Sequence, residues 1–481
     1  MKLQLPVNIV LGAAAFGGTI LATASEVAEA TQFTLTYGYP LPSFARAAVA
    51  VLGEVNSTNR FQHMRQLATS ASKAVVRPNV DTLYSTAVID LSHDDVVVEI
   101  PLVKDRYWVF PFYDVYGNNY ANLGSVENSK AGKYILRFDS DDKRIPGVQL
   151  CSDPEKCGGI QGYVNAPTPY GLMVVRYAVK NTAGDLHQIH ALQNQSGLYT
   201  VEKCGRSRCR ATVPTLTMSL LNSSLSSDPA TKIMQLTARI APHNPPRNIS
   251  DLARVDRMLK ESGVRDGVYK PQKDQNLTAA YLASEMAMFK VASEPQNVHS
   301  LGHGWQGLAP TSQGDYGEDY AMREYIAYFG YLALRATEAL YPSYSAGSKG
   351  LHLGPRESYI FTFLSKPPMG QNGFWSLTAY NTEEYLVPNT LNRYALSDRA
   401  NITYSDGSLV YDGGTHADGS FQLLVQPADI PPPKNWTSNW LPAPEGGGNF
   451  SLTLRFYAPT EQLGNGSWPY PVVHKGEAIQ A

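Results

Sequence analysis

Three short stretches gather side chains that could do chemistry. The first is Arg77-Pro78-Asn79-Val80-Asp81-Thr82-Leu83-Tyr84-Ser85, which sets an arginine, an amide, a carboxylate and a phenol ahead of a hydrophobic run. In extended backbone alternate side chains share a side, so Arg77, Asn79, Asp81 and Leu83 would line up. Arg77 could then orient a substrate carboxylate, and Asp81 could act as a general base or hydrogen-bond anchor. A buried Arg–Asp pair closing a turn uses the same residue types, and the sequence leaves the two readings level. The second stretch, Tyr113-Asp114-Val115-Tyr116-Gly117-Asn118-Asn119-Tyr120, follows a strongly apolar run. Its phenols, amides and carboxylate suit a polar, aromatic-walled pocket of the kind that sugars and polyphenols need. They also suit a turn closed by Asx hydrogen bonds. The third joins Trp375-Ser376-Leu377-Thr378-Ala379-Tyr380-Asn381 to Asn392-Arg393-Tyr394, either for recognition or as a satisfied buried network. On the functional reading, Asp81, Arg77 and Asp114 are the catalytic candidates. Asn79, Tyr84, Tyr113, Tyr116, Asn118, Trp375, Asn392 and Arg393 are the substrate-binding ones.

Metal and nucleotide signatures are missing: no H-E-x-x-H, no Walker A loop, no G-x-G-x-x-G after a strand and no G-x-S-x-G elbow. His187 and His190, or His299 and His303, have spacings a metal could use, but no third ligand accompanies either pair. Asp406, Asp412 and Asp418 sit among glycines, where turns between strands explain them better than calcium does. The expectation is therefore no metal and no cofactor.

The elements that would position these stretches follow from periodicity. Residues 42–54 read as a helix with Ser43 as N-cap. Residues 84–91, 96–101, 106–115, 132–138 and 171–179 are β-branched and aromatic runs bounded by turn residues, which predicts a β-rich first domain. Residues 228–241, 249–261 and 277–293 carry apolar residues every three to four positions, with Leu282, Met286 and Phe289 on one face. Residues 318–341 predict the longest helix, with Met322, Tyr325, Phe329, Leu332, Ala336 and Leu340 in one stripe. Strands return after about 356, where residues 450–456 alternate strictly. The fold class expected is α+β and multidomain: a signal peptide over 1–24, an N-terminal β-rich domain with leading helices over 25–215, a helical linking region over 216–341 and a C-terminal β domain over 342–481.

Composition narrows the function class. The chain has 481 residues, 43% hydrophobic and 17% charged, which is the make-up of a folded protein of more than one domain. Its 40 Lys plus Arg balance 42 Asp plus Glu, so neither nucleic acid nor an acidic membrane surface is the expected partner. The uncharged run 9–22, followed by Ala22-Thr23-Ala24, reads as a secretory signal cleaved before Ser25. Asn-x-Ser/Thr sequons at Asn56, Asn194, Asn222, Asn248, Asn276, Asn401, Asn435, Asn449 and Asn465 agree with secretion. So do two close cysteine pairs, expected as disulfides Cys151–Cys157 and Cys204–Cys209. The mature protein is thus expected outside the cell and free of the membrane.

Several of these residues also carry a family likeness. Tyr37-Gly38-Tyr39-Pro40, Asn79-x-Asp81-Thr82-Leu83-Tyr84-Ser85, Arg106-Tyr107-Trp108, Asp114-x-Tyr116, Pro167-Thr168 and Arg176 resemble domain of unknown function 1254. Gly373-Phe374-Trp375-Ser376-Leu377-Thr378-x-Tyr380, Asn392-Arg393-Tyr394, Asn439-Trp440-Leu441-Pro442-Ala443-Pro444 and Phe450-x-Leu452-x-Leu454-Arg455-x-Tyr457 resemble domain of unknown function 1214. Gly314-Asp315-Tyr316-Gly317-x-Asp319-Tyr320-x-x-Arg323 matches the region that links them. The resemblance covers about residues 33–475 and implies two β-sandwich-like domains joined by helices. It supplies no mechanism. With the signal and sequons it points to a eukaryotic, fungal member.

The functional expectation is a secreted, cofactor-independent enzyme, hydrolase or isomerase/cyclase in type. It would act on a small polar or aromatic molecule in an inter-domain cleft, with secondary metabolism as a fitting role. The alternative is a non-catalytic binder of a glycan or small ligand at the cell surface. The sequence leaves the oligomeric state open.

Overall fold

The computed structural model describes residues 18–73, 77–138, 145–180, 182–203, 213–344, 350–411 and 419–480, with side chains from Ser25 onward. The expected signal segment and the Cys204–Cys209 pair lie largely or wholly outside these residues.

The described chain opens with α1 (Gly18–Gly38) and α2 (Leu41–Val55). The N-terminal strands are β1 (Gln62–His63), β2 (Thr82–Asp90), β3 (Asp95–Ile100), β4 (Trp108–Asp114), β5 (Asn119–Gly124), β6 (Gly132–Arg137), β7 (Gly147–Leu150), β8 (Ile160–Asn165) and β9 (Tyr170–Ala178). After α3 (Asp185–Gln195) comes β10 (Gly197–Val201). They form two five-stranded sheets, β1-β2-β9-β4-β5 and β10-β3-β6-β8-β7. Leu83, Ala87, Phe110, Phe112, Met173 and Val175 fill the space between the sheets with Val98 and Leu136. The outer face of the first sheet is covered too, which is why β9 is buried at every position and reads as a continuous apolar run. The disulfide Cys151–Cys157 ties the turn after β7.

The cover is a helical layer: α4 (Met218–Asn222), α5 (Pro229–Ile240), α6 (Leu252–Glu261), the hairpin β11 (Val264–Arg265) and β12 (Val268–Tyr269), and α7 (Leu277–Ala292). Strands β13 (Val298–Gly302) and β14 (Trp305–Leu308) and helix α8 (Tyr320–Gly330) complete it. Asp228, Asn276 and Asp319 cap α5, α7 and α8 by accepting a backbone N–H of the first turn. Helix α1 packs against α5, α6, α7 and α8. Its threonines are satisfied by side-chain hydrogen bonds, Thr34 to Ser262 at 2.8 Å and Thr36 to Ser284 at 2.7 Å.

The C-terminal strands are β15 (Ala339–Leu340), β16 (Ser343–Tyr344), β17 (Leu351–Leu353), β18 (Glu357–Phe363), β19 (Met369–Tyr380), β20 (Ala395–Ser397), β21 (Phe421–Pro427), β22 (Trp440–Ala443), β23 (Gly448–Pro459) and β24 (Val472–Glu477), with a short α9 (Glu461–Gly464). Sheets β15-β23-β19-β20 and β22-β21-β18-β24 face each other over Phe361, Phe363, Trp375, Leu423, Val425 and Phe456. The fold is α+β and multidomain, as expected. Among the described residues no helix is long and apolar enough to cross a membrane.

Three local expectations are corrected, and a fourth holds with its face turned to solvent. Helix α8 ends at Gly330 rather than Tyr341, because Leu332 turns left-handed (φ 69) and the chain leaves as β15. The Tyr331 hydroxyl, donated to the Val115 carbonyl at 2.8 Å, pulls that turn onto the first sandwich. The stripe therefore breaks, and Phe329 is exposed. On α7, Leu282, Met286 and Phe289 do share a face, but that face is exposed. The buried face is Ala280, Ser284, Met288 and Ala292, whose mostly small side chains let α1 approach. Ser43 caps nothing, since α2 starts at Leu41 behind Pro40.

Candidate functional site

Residues 77–84 lie on the seam between the two sandwiches, and their polar atoms reach across it. Arg77 has left-handed backbone (φ 48) and donates Nε and Nη2 to the Glu384 carboxylate at 2.7 and 3.0 Å. Asp81, 4% exposed, accepts Arg399 Nη2 on Oδ1 and the Ser376 hydroxyl on Oδ2, both at 2.5 Å. Arg399 also donates to the carbonyls of Asp81 and Val179, and its guanidinium lies 4.0 Å from the Phe374 ring centre. Asn79 accepts the Asp81 N–H and donates Nδ2 to the Tyr457 oxygen at 2.5 Å. The expected alignment of Arg77 with Asp81 is thus replaced by two separate pairs. The turn at Arg77 takes it out of the extended row, and each charge finds its partner on the second sandwich. Both Asp81 oxygens are engaged in holding that seam.

The Tyr113–Tyr120 stretch divides in two. Asp114, 1% exposed, accepts the N–H groups of Tyr116 and Asn118 at 2.9 and 3.0 Å and Asn118 Nδ2 at 2.7 Å. Burial raises its carboxyl pKa, while Asn118 opposes the rise. This is the Asx-closed turn, and it needs Gly117 (φ +86), since a Cβ there would meet the Tyr331 ring at 2.7 Å. Asn118 Oδ1 accepts the Tyr316 N–H, and the Tyr116 hydroxyl donates to the Asn244 carbonyl at 2.7 Å. The Tyr116 ring lies 4.2 Å from the Arg323 guanidinium, with Tyr37 and Tyr320 on its other sides. Asp114, Tyr116 and Asn118 therefore weld the first sandwich to the helical layer. The third stretch divides as well. Ser376 bonds Asp81, the Tyr380 hydroxyl donates to the Pro78 carbonyl at 3.0 Å and the Tyr394 hydroxyl meets Ser70 at 3.2 Å. Trp375 and Arg393 bond within the second sandwich. Trp375 donates Nε1 to Tyr411 at 2.7 Å in that core, and Arg393 caps the carbonyls of Thr437 and Trp440. Asn392 is exposed and left-handed (φ 49). Asp81 bonds neither of them: Arg393 faces the start of β22, and Asn392 Oδ1 accepts the Tyr394 hydroxyl.

A different set converges on the same seam. Register places Tyr84 on β2, Arg176 on β9 and Val109 on β4 in one row across the outer face of the first sheet. Arg176 is 7% exposed, and its contacts are long: Nη1 to the Tyr341 hydroxyl at 3.3 Å and Nη2 to the Leu332 carbonyl at 3.4 Å. Arg176 Nε and the Tyr113 hydroxyl have no hydrogen-bond partner among the described residues. Tyr107 donates to Glu338 Oε2 at 2.7 Å, and Glu338 is fully buried with Oε1 taking no N–H or O–H donor. Beside Glu338 lies the carboxyl of exposed Glu127. Two carboxyl groups hold together only when one keeps its proton. Burial first, and Glu127 second, raise the Glu338 pKa well above the usual range. Burial likewise raises the phenols of Tyr107, Tyr113 and Tyr457. For Arg176, burial acts against the charge, but Tyr84, Tyr341, Tyr113 and Tyr457 outweigh it and the pKa moves up.

A permanent cation, phenols whose ionisation burial opposes and a carboxyl whose pKa burial raises thus meet. Such a set binds or stabilises negative charge: a carboxylate, an enolate, a phenolate or a tetrahedral oxyanion. Half-buried Asn79, Tyr84, Leu332 and Tyr341 border it toward solvent. Among the described residues no three His, Cys, Asp or Glu gather as metal ligands. Of the residues singled out by sequence, Asn79, Tyr84 and Tyr113 come together here. Arg176, Tyr107, Glu338, Tyr341 and Tyr457 were not marked as site residues. Their signal was a lone charge in an apolar strand for Arg176. For Glu338 there was none, since it fell inside a predicted helix.

Residues 58–200 match the family model described as protein of unknown function DUF1254, and residues 338–461 match DUF1214. The chain belongs to the family that carries these two domains in tandem. In fold it is similar to the VPA0106 protein from Vibrio parahaemolyticus, with a TM-score of 0.62 and 18% identity over 94% of this chain and 100% of that one. A putative uncharacterized protein from Burkholderia cenocepacia aligns over 95% of each chain at 12% identity and a TM-score of 0.39. No curated protein matches. Tyr84, Tyr107, Tyr113, Glu127 and Arg176 fall in the first matched segment, and Glu338, Tyr341 and Tyr457 in the second.

Proposed function

We propose that this tandem-domain chain is a secreted, cofactor-independent enzyme of hydrolase or isomerase/cyclase type. Its substrate is a small polar or aromatic molecule that carries or develops negative charge. Arg176 and the phenols of Tyr113 and Tyr457 hold that charge, Glu338 delivers a proton, and exposed Glu127 restores it from solvent. Electrostatic stabilisation of an oxyanion and general-acid transfer are together sufficient for such reactions. The observation that carries the reading is the meeting, where the two family domains join, of Arg176 with an unpartnered Nε and buried Glu338 with an unpartnered Oε1 among the described residues; burial raises the Glu338 pKa. Secretion rests on the N-terminal apolar run, the sequons and the Cys151–Cys157 disulfide. A fungal origin and a place in secondary metabolism are part of the same proposal.

The test is an unbiased metabolite screen with the wild type, Glu338→Gln and Arg176→Met. The wild type should deplete a compound over many turnovers, Glu338→Gln should slow this by about 10²-fold, and Arg176→Met should lose binding. A compound held by the wild type but never converted would replace the enzyme by a binding protein. A screen in which nothing is bound or converted would remove the site.

A further inference from the structure

The described asparagines of this chain differ in exposure and in what their side-chain nitrogen does. All nine sequon asparagines are exposed. Of the fourteen other described asparagines, only Asn128, Asn372 and Asn392 are exposed. The side-chain nitrogen separates them further. Nine of those fourteen donate Nδ2 to a protein acceptor, among them Asn119, Asn244 and Asn439. No sequon asparagine donates Nδ2 to any acceptor among the described residues. Where sequon side chains bond at all, they accept through Oδ1. Asn248 and Asn276 accept backbone N–H groups at helix starts, Asn465 accepts the Ser467 N–H, Asn194 accepts Arg65, and Asn449 pairs with His352.

We infer that these nine side chains are glycan acceptors, with Nδ2 kept in solvent for that bond. In the transfer, Nδ2 attacks the anomeric carbon of an oligosaccharide carried on a lipid diphosphate. The carbon–oxygen bond to the diphosphate breaks, the diphosphate leaves with the electron pair, and Nδ2 gives up one proton. Oδ1 remains an acceptor after the reaction, so the helix starts at Asn248 and Asn276 keep their caps. At Asn244 or Asn439 the same reaction would break a buried hydrogen bond and drive a sugar into the core. The inference rests on the secretory part of the proposed function and is independent of its catalytic part, since it concerns none of that site's residues.

The full chain, produced in a eukaryotic secretory host, tests it. Glycan-removing amidase in ¹⁸O-water converts each sugar-bearing asparagine to labelled aspartate, which peptide mapping locates. Label is expected at most of the nine sequons and at none of Asn128, Asn372 and Asn392. A chain retained in the cytosol, or labelled at four or fewer sequons, overturns the assignment.

Discussion

Two arginines sit on the seam between the sandwiches under opposite conditions. Arg399 is matched to Asp81 at 2.5 Å, to two carbonyls and to the Phe374 face, and Asp81 spends its other oxygen on Ser376. Arg176 is the more deeply placed, yet among the described residues it has only two long hydrogen bonds and an unpartnered Nε, beside a carboxyl whose pKa burial raises. A seam needs only one kind of pairing to hold. Leaving a buried cation under-matched costs stability, so its persistence points to use rather than support. The stretch around Asp81 has the residue types of an active site and the bonding of a clasp; the group around Arg176 has the reverse.

The comparison breaks most visibly at Asp81. Asp81→Asn removes the buried carboxylate that Arg399 meets at 2.5 Å, and denaturant unfolding should show a loss of about 3 kcal/mol. Arg176→Met should go the other way. Replacing a poorly paired buried cation by an apolar side chain of similar length should raise stability by about 1–2 kcal/mol in the same measurement. An equal loss at both positions would erase the distinction. Glu338→Gln is sharper still, because its effect depends on pH. The folded-state pKa of Glu338 lies above its unfolded value, so the folded chain holds the extra proton. The wild type therefore loses stability as pH rises above the unfolded pKa toward the folded one. This contribution has a slope of up to about 1.4 kcal/mol per pH unit. The glutamine variant lacks it and should gain on the wild type with rising pH. The smallest effect belongs to Arg77–Glu384, a half-exposed pair with side chains 38% and 34% exposed. Glu384→Gln should cost less than about 1 kcal/mol, and less again in high salt.

The strands were legible because each buries one face or both, and a period of two or a continuous apolar run records that directly. The turn at Asp114 was legible as one of two readings, since its partners lie within four residues. The partners of Arg77 and Asp81 were not. Glu384 and Arg399 lie some three hundred residues away, and local pattern carries no information about them. Arg176 was visible as a charge inside Tyr170–Ala178 and as one residue of the family likeness, and both mark a position without naming a role. Glu338 was hidden by its neighbours, because Leu332, Ala336 and Leu340 extend a helical spacing that Leu332 itself breaks.

The central claim is that Glu338 is a neutral acid facing Arg176 at neutral pH. Infrared difference spectroscopy of the wild type against Glu338→Gln at pH 7 tests it most directly. The account predicts the carbonyl band of a protonated carboxylic acid in the wild type and its loss in the variant. A wild type showing only carboxylate bands at this position would contradict it.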